Sequence, residues 1–164
     1  MSQKSFTYFF IFCMFTMATS CKNEEKKKST NALSTAEEIK LPPLPEAEYN
    51  LLYDECDFID YIFIELPFSI SQDDKESIQN NVVFVSKEEV SSYSKSCKPI
   101  ARKFFKIKGK IVWEADVFKD SNCAHFVFYK DNKAMYANKM SQSGINFYNN
   151  LIDQAQKLQP GSGQ

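Results

Sequence analysis

The chain has 164 residues, with 20 Lys and Arg against 21 Asp and Glu and a formal net charge of −1. So even a balance offers no basic field for nucleic acid and excludes that class of partner from the expectation. A hydrophobic share of 43% is enough for a packed core, so the chain does not read as disordered throughout.

Residues 1–20 hold one basic residue, Lys4, and then the run FTYFFIFCMFTM, followed by the small residues Ala18, Thr19 and Ser20 ahead of Cys21. The apolar run is about 12 residues, short of the roughly 20 that cross a bilayer as a helix, so it reads as a removable signal peptide. Phe6, Phe9, Phe10, Phe12 and Phe15 therefore belong to targeting and not to the core.

Ala18-Thr19-Ser20-Cys21 resembles the lipobox of bacterial lipoproteins, with Ala18 where that family most often has Leu. The resemblance implies that the Cys21 sulfur receives a diacylglyceryl group and that cleavage leaves Cys21 as the new N-terminus. It also implies a membrane anchor of palmitate-type chains. Two or three chains, at roughly 0.8 kcal/mol per buried methylene, hold stably where one does not. The alternative is an ordinary secretory signal with a stray cysteine. Lys22-Asn23-Glu24-Glu25 resembles the short acidic signal of surface-exported lipoproteins of Bacteroidota, which implies display on the cell surface from the outer membrane. The inner leaflet of that membrane is the alternative address.

Residues 21–48 are polar and proline-containing and read as the lipidated cysteine plus a disordered tether. As a coil the 27 residues after Cys21 span roughly 30 Å. Residues 49–164 form the expected single globular domain, again near charge balance at 14 basic against 15 acidic residues. Within it, 57–66 reads as a buried strand, and Ser71-Gln72-Asp73-Asp74 as a capping box opening a helix through Ile78 and Val82. Val82-Val83-Phe84-Val85 suits a strand equally well.

Four runs rich in β-branched and aromatic residues follow, at 103–108, 111–119, 123–130 and 134–140, separated by Lys108-Gly109-Lys110, Asp120-Ser121-Asn122 and Asp131-Asn132-Lys133. Short turns between such runs predict a four-stranded antiparallel meander. Residues 146–158 place Tyr148, Leu151, Ile152, Ala155 and Leu158 at helical spacing, with serines upstream and Pro160 beyond. The expected fold class is α+β: an N-terminal strand and helix, the meander and a C-terminal helix.

If odd residues face odd residues across every turn, Phe105, Ile107, Ile111, Trp113, Ala115, Val117, Val127, Tyr129, Met135 and Ala137 share the core face. The opposite face then gathers Phe104, Val112, Phe118, Phe126, Phe128 and Tyr136 with Arg102, Glu114, Asp116 and Asn138. Either the helices and first strand cover both faces, or an aromatic surface at Phe104, Phe126, Phe128, Tyr136, Arg102, Glu114 and Asp116 stays open for a glycan, peptide or envelope protein.

Cys56, Cys97 and Cys123 lie in a chain read as exported, where disulfides persist. The hairpin at Gly109 brings Cys97 opposite residues 119–121, so Cys97–Cys123 is the expected pair, ahead of Cys56 with either partner. Cys56, Cys97, Cys123 and His125 lack paired metal-ligand spacing, so no metal site is expected, and no cofactor. His125, placed by parity beside Val117, reads as a hydrogen-bonded structural residue. Glu114 and Asp116, two apart on one strand face, suit a carboxylate pair for hydrolysis, as Asp57 and Asp60 do less comfortably, so a cell-surface hydrolase is the alternative to a noncatalytic binding module. The folded part also resembles small lipoproteins of Bacteroidota of uncharacterised activity, on Cys-Asp-Phe-Ile-Asp-Tyr (56–61), Leu-Pro-Phe-Ser (66–69) and Cys-Lys-Pro-Ile (97–100). That likeness implies an envelope address and no particular chemistry.

Overall fold

The computed structural model describes residues 38–90, 92–120 and 122–158. Cys21 and the signal peptide lie outside the described residues. In chain order the elements are β1 (Glu38–Ile39), α1 (Glu46–Glu55), β2 (Phe58–Phe63), β3 (Ser69–Gln72), α2 (Lys75–Val83), β4 (Val85–Glu89), β5 (Tyr93–Ser94), β6 (Pro99–Ile107), β7 (Lys110–Phe118), β8 (His125–Lys130), β9 (Lys133–Met140) and α3 (Gln142–Leu158). The class is α+β, but the sheet is larger than four strands. β6 to β9 form the meander, β2 and β3 extend it on one side, and β4 closes the other, giving seven antiparallel strands in the order β3-β2-β6-β7-β8-β9-β4.

The turns follow local backbone chemistry. Lys108 and Gly109 both have positive φ at the β6–β7 turn, as do Asp131 and Asn132 between β8 and β9. Positive φ at both central residues gives the right-handed twist that two-residue hairpins need, and Gly, Asn and Asp tolerate it best. The capping box is displaced by three residues. Ser71 pairs with Asp60 inside β3, and Asp74 is the N-cap of α2, accepting the Ser77 N–H at 2.8 Å. Both readings of residues 82–85 hold in part, since α2 ends at Val83 and β4 begins at Val85.

One turn departs from the parity rule. Across β7 and β8, Ala115 faces Phe128 and Val117 faces Phe126, so even residues of β8 join odd residues of β7. Phe126 and Phe128 therefore enter the main core, fully buried, while Val127 and Tyr129 turn to the other face. Tyr136 follows Phe128 and packs edge-on to Trp113, ring centroids 5.4 Å apart. A bulge between Phe105 and Lys106 shifts the neighbouring register and leaves Ile111 exposed, against its assignment to the core.

Each face of the sheet has a cover. Leu52 of α1, Ile78 and Val82 of α2 and Tyr148 of α3 pack on the main face with Phe105, Trp113, Phe126 and Phe128. Over β7, β8 and β9 a second cluster of Phe118, Cys123, Val127 and Ala137 is covered by Leu41, Val90, Tyr93 and Cys97. Residues 38–48, read as tether, are thus folded onto the domain. β1 pairs with β5, Pro42 O accepts the Ala137 N–H at 2.9 Å, and buried Leu44 donates its N–H to Asn138 Oδ1 at 2.8 Å. This strap bonds to β9, with Leu41 in the second cluster and Leu44 in the main one.

At the centre of the main core stands a lysine. The Lys103 side chain is fully buried, its Nζ donates to Asn81 Oδ1 at 2.8 Å, and the rings of Tyr61, Phe126, Phe105 and Phe84 surround it at 4.7, 5.1, 5.4 and 5.9 Å. Burial pushes its amine down to about 7. Because the folded value lies below that of a free lysine, the cost of the buried charge is complete below pH 7 and is relieved as pH rises toward the unfolded value.

The C-terminal helix starts earlier than its apolar spacing indicates. Ser141 Oγ accepts the Gly144 N–H at 3.3 Å, and the Ser141 N–H donates to Phe84 O at 2.8 Å. Gly144 is there because no side chain fits: a Cβ on it falls 2.8 Å from Met140 Cγ and 2.9 Å from Phe84 Cβ. Alanine favours a helix over glycine by about 1 kcal/mol, but a forced shift of packed groups costs about 1–3 kcal/mol. Gly144→Ala is expected to lower the urea midpoint; an unchanged or raised midpoint contradicts this docking of α3.

Candidate functional site

The structure divides the predicted aromatic surface between two faces. Phe126 and Phe128 have no exposed area and belong to the interior, and Tyr136, partly buried, packs against the same core. Replacing such a phenylalanine with alanine costs about 3–5 kcal/mol of folding energy, which is the energetics of a core residue. Arg102, Phe104, Glu114 and Asp116 do share the second face, where Arg102 pairs across with Asp116 and Phe104 with Glu114.

There the charges serve one another. Arg102 Nε and Nη2 donate to the two Asp116 oxygens at 2.7 and 3.0 Å, Nη1 lies 3.5 Å from Glu114 Oε2, and the guanidinium sits 5.1 Å over the Tyr129 ring. The Asp116 bond holds Arg102 above its usual range, and burial, then Asp116, raises the Tyr129 hydroxyl. A hydrolytic pair needs one proton-donating carboxyl and one free carboxylate. In this cluster one guanidinium holds both.

The four residues weighed as a metal set do not converge. Cys97 and Cys123 form a disulfide with an S–S distance of 2.03 Å and Cα atoms 5.9 Å apart, and Cys56 is a buried free thiol in the main core. His125 is on the face away from Val117, opposite Phe118, because of the parity change in β8. Among the described residues no group of three or more His, Cys, Asp or Glu is placed to hold a metal ion.

A different concavity is better equipped. Val90, Ser92, Tyr93, Asn122, Ala124, His125 and Lys139 line a cavity of about 290 Å³ at the end of the second face. Two loops build its walls. One carries Ser92 and Tyr93 into β5, the other carries Asn122 and Ala124 into β8, and the Cys97–Cys123 bond ties the two together. His125 is 3% exposed and lies between the rings of Phe118 at 4.5 Å and Tyr93 at 4.7 Å. Its Nε2 is buried without a hydrogen-bond partner among the described residues. The expectation of a hydrogen-bonded structural histidine is therefore met in burial and not in bonding at Nε2. Lys139 Nζ is 2.9 Å from Glu88 Oε2, so its charge is matched.

Ser92, Tyr93, Asn122 and Lys139 carried no mark in the sequence. The one pointer was the two-residue step from Cys123 to His125, which sets the histidine beside whatever loop Cys97 brings in. No family, curated protein or solved structure compared with the chain matches it.

Burial pushes His125 down to about 4, so at neutral pH the imidazole is uncharged. Its folded value lies below the ordinary 6.5 or so of the unfolded chain, which then takes up the proton first as pH falls. Stability present above about 6.5 is accordingly lost between there and about 4. His125→Phe keeps a ring between Phe118 and Tyr93 and removes the proton site. Urea midpoints at pH 7.5 and 5.0 are expected to fall less for His125→Phe than for wild type; equal falls contradict the buried neutral imidazole.

Proposed function

We propose that this protein is a lipid-anchored envelope lipoprotein, held through Cys21 to the outer membrane at the cell surface, whose folded domain is a noncatalytic binding module for a glycan, peptide or envelope protein. The observation that carries the binding role is the cavity at His125: a concave, polar-lined site with an unpartnered buried nitrogen and walls joined by a covalent bond. Ligand sites are typically preformed concavities with a few placed polar groups. The carboxylates of Glu114 and Asp116, which a hydrolytic role requires, are held by Arg102.

The address rests on the resemblance of residues 18–25 to a lipobox and export signal. Among the described residues no helix is long and apolar enough to cross a membrane. The anchor in this reading is the acylated cysteine. β1 begins at Glu38 and pairs with β5, whose Tyr93 also lines the cavity. The cavity is therefore near the first described strand.

Cys21→Ala tests the anchor. Wild-type protein is expected in the outer-membrane fraction, detergent-extractable, with an acylated Cys21 by mass spectrometry, and cleavable by protease added to intact cells. The variant is expected to leave that fraction. Retention of the variant in the membrane, or an unmodified Cys21 in wild type, overturns this placement.

A further inference from the structure

The two edges of the seven-stranded sheet are built differently. β4 is guarded: it carries Lys87, Glu88 and Glu89, of which Lys87 pairs with Glu46 and Glu88 with Lys139, and its register shifts against β9. Charges and bulges on an edge strand keep other strands from adding to it. β3, Ser69-Ile70-Ser71-Gln72, has no charge, no proline and no break in its register with β2. Among the described residues β3 pairs with β2 alone, and no loop or helix bonds to its backbone. Its outward N–H and C=O groups therefore have no protein partner among those residues.

Beside this edge stand the two most exposed large apolar side chains of the described residues, Ile62 at 53% and Ile64 at 58%. Ile62 is opposite Ser69 across the β2–β3 pairing, and Ser69, itself exposed, is too small to cover it from the edge side. The one charge on these two strands, Asp60, is bonded to Lys106 and Ser71, so β2 and β3 offer an occupant no free ion. An uncharged edge with a matched ion and bare isoleucines behind it favours an occupant that is itself uncharged and apolar on one face.

We propose that β3 is a docking edge for an extended polypeptide segment of a partner protein, which adds as the next strand and lays a large apolar side chain against Ile62. The open row of alternating donors and acceptors is what an extended backbone matches, and the pockets beside such an edge set which side chains it takes. Strands lie about 4.8 Å apart, so the added strand is about 10 Å from β2, a gap that two large side chains close over a serine. β3 has four residues, so the segment that pairs with it is short. The edge shares no residue with the cavity at His125, so this assignment goes beyond the role given to that cavity and stands or falls apart from it.

The test is amide hydrogen exchange of the full-length protein with two end-capped peptides, Thr-Leu-Thr-Leu-Thr-Leu-Thr and the same sequence with Phe for Leu, each also made with every peptide nitrogen methylated. The expected result is that at least one unmethylated peptide slows the fast-exchanging amides of residues 69–72, and that its methylated form does not. Ser69→Lys, which puts a charge on the edge, and Ile62→Ser, which removes the apolar neighbour, change exposed side chains and are expected to leave the thermal midpoint in place. Ile62→Ser is expected to weaken the peptide about tenfold, the loss of one buried isoleucine contact, and Ser69→Lys to weaken it at least as much. Binding without slowed exchange at 69–72, equal binding of the methylated form, or full binding by both variants overturns the proposal. Slowed exchange at 69–72 that rises with protein concentration and needs no peptide makes a second copy the occupant and overturns the assignment to a partner protein. Failure of both peptides to bind also overturns it, and none of these results bears on the cavity at His125.

Discussion

The fold is organised around a fully buried amine. Lys103 projects from β6 into the main core and meets Asn81 of α2, whose side-chain amide donates to Gln72 Oε1 on β3, which also accepts the Tyr61 hydroxyl of β2. One chain of hydrogen bonds thus joins three neighbouring strands and the helix that crosses them. The surroundings of the same amine record the curvature of the sheet. In a flat sheet β4 lies roughly 19 Å from β6, four strands away. Phe84, the residue just before β4, has its ring 5.9 Å from Lys103 Nζ, so the sheet curls around the side chain. Four ring faces and a single amide oxygen stand in for the hydration the ammonium has lost. Removing one partner of such a group is costly because the other stays buried and unpaired.

Curling the sheet around one face leaves the other convex, and that face needs a separate cover. The chain supplies it from unusual sources: the strap at residues 38–45, the β1–β5 ribbon and the disulfide-joined loops. Val90 and Tyr93 of this cover also line the cavity at His125. Over β2, β6 and β7 the face is instead closed by charge, with Asp60 bonded to Lys106 and Ser71, and Arg102 to Asp116. The hydrogen bond from Lys106, then that from Ser71, holds Asp60 below the usual carboxylate range.

How much was legible follows from range. Hairpin turns are local, so the four central strands could be placed from the turn residues around Gly109 and Asn132, and the Cys97–Cys123 pair follows from the hairpin at Gly109. The amphipathic spacing of Tyr148, Leu151 and Ala155 is equally local and gave α3, short only of its capped first turn. Parity across the β7–β8 connection was not legible, because Asp120-Ser121-Asn122 fixes no turn type. One residue of slip there moves Phe126 and Phe128 from one face to the other. The aromatic surface failed at that single step, and His125 changed face with it.

Other features are set by partners distant in sequence. α1 buries one residue completely, Leu52, and is held by contacts such as Trp113 Nε1 donating to Glu48 Oε2 at 2.8 Å, so its own sequence shows little amphipathic spacing. The strap is polar and proline-rich, yet the Asn138 side chain and the Ala137 N–H of β9 give its backbone partners. Lys103 lies at a core-facing position by its odd parity, but lysine is almost never fully buried, and only Asn81, 22 residues away, explains its place.

The most direct measurement of this arrangement is the ¹³Cε chemical shift of Lys103 followed from pH 5 to 11. A curled core with the amine enclosed by four rings predicts a midpoint near 7 and ammonium protons protected from exchange with water. A midpoint near 10.4, that of an ordinary solvated lysine, with rapid exchange, contradicts it.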